Sequence, residues 1–429
     1  MKERIFKIDW KRAIINNVER QIQDYKQTDD FLENDFLQYN KNLSFENQIT
    51  VKKLFNKIYN QPHYKTSQKL FDFEVLLANL INAEKKTKCV NISKNSNHWK
   101  MKSNNKKNRY DNVSRFTLEA LEQLKKHKMI NEKRGYKDLK NPKNSRNTKI
   151  WATEKLIEYC KTLPTGIKEV YKELVVLRDN QKNLLDYKDT AETHKIRKRL
   201  TILNKVNSEA EIKYKNTILQ PCIRAIFLNK FTLYGRLHTG GYKHNYQSYA
   251  SEDRIMLTIN GNTVTELDYA ALHPNLLYAD VGIQYMGDPY SKVNDNPQAR
   301  TFLKKILLAL INSSNEMQAE RAANNWLFEN KEECKILHKI GITKARPFID
   351  KFIEEHKPIS HFFFTGAGLR VMNRDAKICL DVCYYFAQKN IPILPVHDSF
   401  IIQEQYKNEL KKVMQDVYKR HTNFRIKVK

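Results

Sequence analysis

Apolar residues in the N-terminal half recur at the spacing of amphipathic helices. Residues 1–75 are polar, with scattered apolar positions that fit helices. Residues 165–217 are charged and contain almost no glycine, and their apolar stripe predicts an antiparallel pair of helices. That stripe is formed by Leu174, Leu177, Leu184, Leu185, Ile196, Leu200, Leu203 and Val206.

Residues 114–161 predict a helix, two strands and a second helix. Thr117 is placed to cap the first helix, and the strand-like pieces MINEKRGY and TKIWAT flank a basic loop. A helix followed by a basic hairpin resembles the second half of a winged helix-turn-helix. The wing would carry Lys133, Arg134, Lys140, Lys143 and Arg146. The alternative is a helix and hairpin with a solvated lysine face.

Short apolar runs predict strands in the C-terminal half, where nine of the eleven glycines lie. The runs Ile391–Val396 and Ser399–Ile402 predict a hairpin whose two-residue turn is His397-Asp398. A second strand ends near Asp268 and is followed by a short helix with Pro274 at its opening. Glycine marks tight turns and close approaches of the backbone, so we look for the chemistry in this half.

The charge balance points to a polyanionic partner. The 429 residues include 76 Lys plus Arg against 48 Asp plus Glu, a formal net charge of +28. Such a field attracts nucleic acid. Codon bias explains many lysines but not the small number of acidic residues. The chain has no apolar run long enough to span a membrane, no secretory signal and no paired cysteine motif, so we expect a cytoplasmic protein that does not bind membranes.

Two strand-end carboxylates, Asp268 and Asp398, are candidates for a metal site. They converge if their strands are neighbours in one sheet. Mg²⁺ takes one or two protein carboxylates together with substrate phosphates, and paired ions activate an attacking hydroxyl and stabilise a leaving oxygen. Either aspartate alone fits a turn-capping role equally well.

The segment RTFLKKILLALINSS, residues 300–314, predicts a helix between these two motifs. Arg300 and Lys304 are one turn apart and share a face. Two such cations suit a triphosphate. The alternative is a solvated basic stripe.

The order of these motifs resembles motifs A, B and C of the family A polymerases, which include DNA polymerase I-like enzymes and single-subunit RNA polymerases. DYAALHPNLL resembles motif A, and LYGRLHTG, residues 233–240, resembles the segment upstream of it. FFFTGAGLRVMNRDAKICLDVCYYFAQKNIPILPVHDSF resembles the region leading into motif C. The resemblance covers about residues 225–425.

The resemblance implies an α+β right-hand polymerase fold with an antiparallel-sheet palm. Palm and fingers would occupy residues 225–429, with the fingers at about 285–360. Residues 163–224 would form thumb-like helices, and residues 111–162 a winged-helix-like DNA-binding region. Residues 1–110 would be a helical region of unknown role.

The resemblance also assigns roles to residues. Asp268, Asp398 and the Tyr269 carbonyl would hold two Mg²⁺ ions. Arg300 and Lys304 would bind the triphosphate, and Lys304 would help to protonate the leaving pyrophosphate. The residues expected near the primer terminus are Arg236 and His397.

Four positions depart from the family pattern in the nucleotide pocket. His273 stands where the DNA polymerases have a glutamate that excludes ribose, and Leu308 where they often have an aromatic residue. Asn312 replaces the tyrosine of a Tyr-Gly pair, and Ser399 replaces a glutamate. The sequence leaves the choice between dNTPs and NTPs open.

The expected function is therefore a compact DNA polymerase without a proofreading exonuclease, replicating a plasmid, phage or mobile element. Its partners would be a DNA primer-template and dNTPs or NTPs, and an accessory replication protein is left open. One alternative is an RNA polymerase or primase on the same fold. Another is a catalytically inactive, DNA-binding replication-initiation protein.

Overall fold

The chain forms two compact units, Met1–Lys172 and Glu173–Lys429. Both combine helices and strands, which agrees with the expected α+β class. The computed structural model describes residues 35–36, 41–43, 45–59, 67–85, 88–94, 109–110, 114–136, 147–161, 167–169, 171, 173–240 and 245–429. Within these ranges no helix has the length and apolar character needed to cross a membrane. Lys140, Lys143 and Arg146 fall outside them.

The first unit packs helices against a four-stranded sheet of order β1-β3-β5-β4. A separate antiparallel pair joins β2 to β6. The strands are β1 Asp35–Phe36, β2 Lys41–Leu43, β3 Val90–Ile92, β4 Ile130–Lys133, β5 Thr148–Ala152 and β6 Ile167–Glu169. The helices are α1 Phe45–Tyr59, α2 Ser67–Lys85, α3 Phe116–Lys126 and α4 Glu154–Lys161. The order helix, strand, strand, helix predicted for residues 114–161 is present as α3, β4, β5 and α4.

A buried aspartate on α2 fixes the start of α3. Asp72 accepts hydrogen bonds from the backbone and hydroxyl of Ser114, at 2.9 and 2.7 Å, and from the hydroxyl of Thr117 at 3.3 Å. Thr117 therefore does not cap α3 as expected; it lies one residue inside the helix and is fully buried. Burial raises the pKa of Asp72, and these donors oppose the rise.

The antiparallel helix pair expected over residues 165–217 is wrong. Among the described residues of this range only α5, Ala191–Glu209, is an α-helix; β7, Val175–Arg178, and β8, Ile212–Tyr214, are strands. The run from Leu174 to Leu177 is buried without a break and pairs in parallel with the strand Ile223–Leu228. A short, continuous apolar run has no period that separates strand from helix, and two adjacent valines favour the strand.

The second unit contains two sheets. The first has six strands in the order β14-β15-β13-β12-β8-β9, and the second has three in the order β11-β10-β7. The remaining strands are β9 Thr217–Leu219, β10 Ile223–Leu228, β11 Lys230–Thr239, β12 Leu257–Ile259, β13 Asn262–Asp268, β14 Leu394–Val396 and β15 Ser399–Gln403. The remaining helices are α6 Ser251–Arg254, α7 Leu272–Asp280, α8 Arg300–Asn312, α9 Glu316–Glu329, α10 Lys331–Lys339, α11 Arg346–Glu355, α12 Gly368–Gln388 and α13 Lys407–Thr422.

The predicted hairpin is present and its first strand is anchored by buried side chains. Asn207 on α5 donates its amide to the carbonyl of Ile393 at 2.9 Å and accepts the Ile393 N–H at 3.1 Å. Tyr246 donates its hydroxyl to the carbonyl of Pro395 at 2.9 Å. Because buried backbone groups need partners, these bonds hold β14 in one position.

Gly235 in β11 lies where the side chains of Phe227 on β10 and Asn373 on α12 approach its backbone closely. Its φ is +76°, and an added Cβ would lie 2.8 Å from both Phe227 and the Asn373 side chain. We expect Gly235→Ala to lower the free energy of unfolding by about 2 to 4 kcal/mol, since strain in the left-handed region adds to a steric clash. Chemical denaturation measures the loss.

Gly261→Ala is the matched control, because Gly261 has the same φ of +76° and nothing within 4 Å of an added Cβ. It should show the strain alone, about 1 to 2 kcal/mol. Equal losses in the two variants would contradict the close packing at Gly235.

Candidate active site

The two aspartates singled out in the sequence lie on neighbouring strands. β13 ends at Asp268, which pairs with Ser399, the first residue of β15. Asp398 precedes Ser399 in the turn, and its carbonyl accepts the N–H of Tyr269 at 3.4 Å. The convergence expected for Asp268 and Asp398 thus follows from the register of two antiparallel strands.

The turn that carries Asp398 has an unusual backbone. His397 has a φ of +59°, in the left-handed region that a two-residue hairpin requires and that residues other than glycine adopt at a cost. Its ring lies edge-on to that of His238, with centroids 5.9 Å apart. Burial lowers the pKa of His397, and the positive charge of Arg236 lowers it further. Strained backbone of this kind concentrates at functional sites.

The surroundings of Asp268 and Asp398 disfavour the charged form of both carboxylates. Burial raises the pKa of Asp268, and the charges of Asp398 and Glu266 add to the rise. Burial also raises the pKa of Asp398. One carboxylate oxygen of Asp268 is buried without a hydrogen-bond partner. The pair therefore has unsatisfied negative charge that a cation would stabilise.

Helix α8 presents the predicted phosphate-binding residues as one stripe. Arg300, Lys304, Leu308 and Asn312 follow one another at four-residue intervals and are partly or fully exposed. The opposite face is buried and is formed by Phe302, Leu303, Ile306, Leu307, Leu310 and Ile311. The positive charge of Lys304 lowers the pKa of Asp268, so this stripe acts electrostatically on the carboxylate pair.

Arg300, the first member of the stripe, has an acidic and an aromatic partner. Its guanidinium pairs with Asp288 and lies over the ring of Tyr290, 5.0 Å from the ring centroid. Arg300 therefore has a fixed position at the beginning of α8.

Asn312, at the other end of the stripe, packs directly against the start of α12. A Cβ added at Gly368 would lie 1.9 Å from the Asn312 side-chain oxygen, so only glycine fits there. The small-residue turn before motif C thus allows α12 to approach α8.

Tyr269 points into the core. Its side chain is 1% exposed, and its hydroxyl donates to the carbonyl of Met414 at 2.7 Å. Its N–H faces Asp398, and in a β-strand the carbonyl of the same residue points to the same side. The backbone of Tyr269 therefore faces the turn of the hairpin, while its ring lies edge-on to Phe400 of β15, with centroids 6.3 Å apart.

Asp375 on α12 joins two of the predicted site residues. It is 1% exposed and accepts from Arg236 at 2.9 Å, and it lies 3.3 Å from the His273 ring nitrogen. Burial opposes ionisation, but His273 and Arg236 hold the pKa of Asp375 below its ordinary value. Arg374, the neighbour of Asp375 in the sequence, pairs with Asp280.

The sequence contained a signal for Asp375. It is a lone acidic residue on the apolar face of a long amphipathic helix, one turn from Val371 and Cys379, which are both buried. A buried carboxylate in such a place needs a cationic partner. The identity of that partner depends on the packing of α12 against β11 and α7, which the sequence does not reveal.

Ser399 takes part in a second network that sequence reasoning missed. Its hydroxyl donates to Glu266, two residues before Asp268 on β13. Glu266 also accepts two bonds from the guanidinium of Arg254, at 2.7 and 2.9 Å. Arg254 thereby neutralises the carboxylate next to the aspartate pair.

The two predicted DNA-contacting residues of the first unit lie at the end of β4. Lys133 is the last residue of that strand and Arg134 follows it, and both are exposed.

No group of three or more His, Cys, Asp or Glu residues able to hold a metal occurs in the part of the chain that the structure describes. The aspartate pair therefore offers two carboxylates and backbone oxygens, the kind of incomplete site that Mg²⁺ occupies together with substrate phosphates.

Comparisons with known proteins place the chain in no family. No family model and no curated protein matches it. One solved structure it resembles is the POL domain of Pol1 from M. smegmatis in complex with DNA primer-template and dNTP, at 10% identity and a TM-score of 0.27. The alignment covers 90% of this chain and 66% of that one, just under two thirds of its length. A TM-score of this size establishes no shared fold.

The Asp375 network can be tested through pH-dependent stability. Because the pKa of Asp375 is lowered in the folded state, its contribution is present above its ordinary pKa of 3.8 and is lost as pH falls below that value. We expect Asp375→Asn to cost about 3 kcal/mol of unfolding free energy at pH 7. The difference from wild type should shrink between pH 4 and pH 3, as measured by urea unfolding.

Asp280→Asn is the matched control, since it removes the acidic partner of Arg374 at a more exposed position. It should cost less than about 1 kcal/mol. A loss for Asp375→Asn that is equally small, or that does not change with pH, would contradict the role of Asp375 as a charged anchor.

Proposed function

We propose that this chain is a template-directed nucleotidyltransferase, and specifically a compact DNA polymerase. One observation carries the proposal: strand pairing brings together Asp268, at the end of β13, and Asp398, in the turn before β15. Both carboxylates are partly buried with raised pKa values, and the charge of Lys304 on α8 acts on Asp268. The order of motifs in the sequence supports the same function independently.

The residues fit a site for two Mg²⁺ ions. Asp268 and Asp398 would supply carboxylates and Tyr269 its backbone carbonyl, a set of hard oxygen donors. The unpartnered oxygen of Asp268 is the donor that most lacks a ligand. Bound Mg²⁺ would activate a 3′-hydroxyl for attack on the α-phosphate and stabilise the leaving oxygen.

The side chains around this pair have distinct tasks in the proposal. Arg300 and Lys304 bind the triphosphate, and Lys304 donates a hydrogen bond or proton to the departing pyrophosphate. Arg236 and His397 lie at the primer terminus.

Two groups of residues complete the proposal. His273, Leu308 and Asn312 line the pocket of the incoming nucleotide. In the first unit, Lys133 and Arg134 contact the DNA backbone, where each cation neutralises a phosphate.

Metal binding gives a test that does not depend on activity. Without metal, the crowded carboxylate pair opposes folding, so Asp268→Asn should raise the unfolding free energy by about 1 to 2 kcal/mol in EDTA. Mg²⁺ or Mn²⁺ should raise the melting temperature of wild type and leave that of Asp268→Asn unchanged. Asp416→Asn, an exposed substitution on α13, should behave like wild type. Equal metal responses in all three proteins would exclude a metal at Asp268.

Primer extension tests the activity itself. Asp398→Asn should reduce dNTP incorporation on a primed template by at least 10³-fold, and Lys304→Gln by 10-fold or more, since both remove charge stabilisation of the transition state. Lys305→Gln is the matched control, because Lys305 is the exposed neighbour outside the α8 stripe. DNA binding should be unchanged in all three variants.

Primer extension also distinguishes a DNA polymerase from the two alternative functions. Incorporation of NTPs only, or synthesis without a primer, would contradict the DNA polymerase hypothesis and favour an RNA polymerase or primase. DNA binding without nucleotide incorporation under any of these conditions would favour the hypothesis of a catalytically inactive replication-initiation protein.

A further inference from the structure

The last residues of the chain form a basic edge beside Asp268. Ile426 and Val428 are buried, at 3% and 4% exposure, whereas Arg425, Lys427 and Lys429 are exposed. This alternation is the period of a β-strand with one face on the core. We name Arg425, Lys427 and Lys429 the basic edge.

Backbone hydrogen bonds fix the basic edge to the end of β13. The Asp268 N–H donates to the Lys429 carbonyl at 3.1 Å, and the Lys429 N–H returns a bond to the Asp268 carbonyl at 2.9 Å. The Ala270 N–H donates to the Lys427 carbonyl at 2.9 Å. Asp268 therefore lies between β15 on one side and the basic edge on the other.

Two of these cationic side chains, Lys427 and Lys429, line a cleft. The cleft has a volume of about 120 Å³ and is lined by Ala270, Ala271, Asp288, Arg300, Lys427 and Lys429, among others. Its only acidic side chain is Asp288, which pairs with Arg300. Among the described residues Lys427 and Lys429 form no ion pair, although the charge of Lys429 also acts on Asp268. The lining of the cleft has three cationic side chains and one carboxylate. Arg425 does not line it.

We propose that Lys427 and Lys429 bind the phosphate chain of the incoming nucleotide. This rests on the proposed function and extends it, since Arg300 of α8 lines the same cleft. The cleft begins two residues after Asp268, where the small side chains of Ala270 and Ala271 leave the backbone accessible. A phosphate chain there would contact cations from α8 on one side and from the basic edge on the other.

A phosphate chain can also belong to the backbone of a nucleic acid. The position favours the free nucleotide, because the cleft begins two residues after the aspartate at which transfer would occur and contains one of the predicted triphosphate ligands. Inorganic tripolyphosphate and single-stranded DNA are therefore the two probes that separate these sources.

The test compares Lys427→Gln, Lys429→Gln and the double variant with Arg425→Gln, which removes the same charge from the same edge outside the cleft. We expect the double variant to bind tripolyphosphate about 10-fold more weakly by calorimetry, with smaller losses in the single variants. Its KM for the nucleotide should rise by about 10-fold with kcat within about 3-fold. Arg425→Gln should match wild type in both measurements, and binding of single-stranded DNA should not change.

Three results would overturn the proposal: tripolyphosphate binding unchanged in the double variant, an equal loss in Arg425→Gln, or a loss of DNA binding larger than the loss of tripolyphosphate binding. If no variant and no wild-type protein incorporates nucleotide, the proposed function fails. The calorimetric comparison still decides the anion site in that case, since it requires no catalysis.

Discussion

The antiparallel pairing of β13 with β15 is the constraint on which the site depends. It brings Asp268 beside Asp398, two carboxylates that repel one another in partly buried surroundings. Such an arrangement persists only if the surrounding structure holds it. Asn207 and Tyr246 do this through the backbone of β14, and the hydroxyl of Tyr269 ties the end of β13 to α13. The stability of the sheet thus offsets the repulsion between the carboxylates of Asp268 and Asp398.

Three aspartates of the second unit, of which Asp375 is buried and Asp268 and Asp398 are partly buried, show how partners determine charge. Asp375 has Arg236 and His273 as partners, and its pKa is lowered. Asp268 and Asp398 lack such partners, and their pKa values are raised. Burial acts on all three in the same direction, so the difference comes from the hydrogen bonds of Asp375 to His273 and Arg236 and from the like charges that act on Asp268 and Asp398. Asp375 therefore behaves as a structural anchor, whereas the surroundings of Asp268 and Asp398 disfavour their charged forms.

The sequence predicted those parts of the site that local periodicity determines. The two-residue turn at His397-Asp398 and the spacing of Arg300 and Lys304 follow from strand and helix geometry. The helix pair over residues 165–217 was wrong because a run such as Leu174–Leu177 fits either element until its partner strand is known. The partners of Asp375 and the roles of Glu266 and the basic edge could not be predicted, because they depend on residues more than one hundred positions away or on which strand edge is free.

The departures from the polymerase pattern now have a physical context. A hydroxyl at Ser399, in place of a carboxylate, satisfies Glu266 on the adjacent strand, and Arg254 neutralises that glutamate. The negative charge at the turn is therefore concentrated on Asp268 and Asp398. His273 is bound to Arg236 and Asp375, so its imidazole is held in place by a network whose carboxylate is buried.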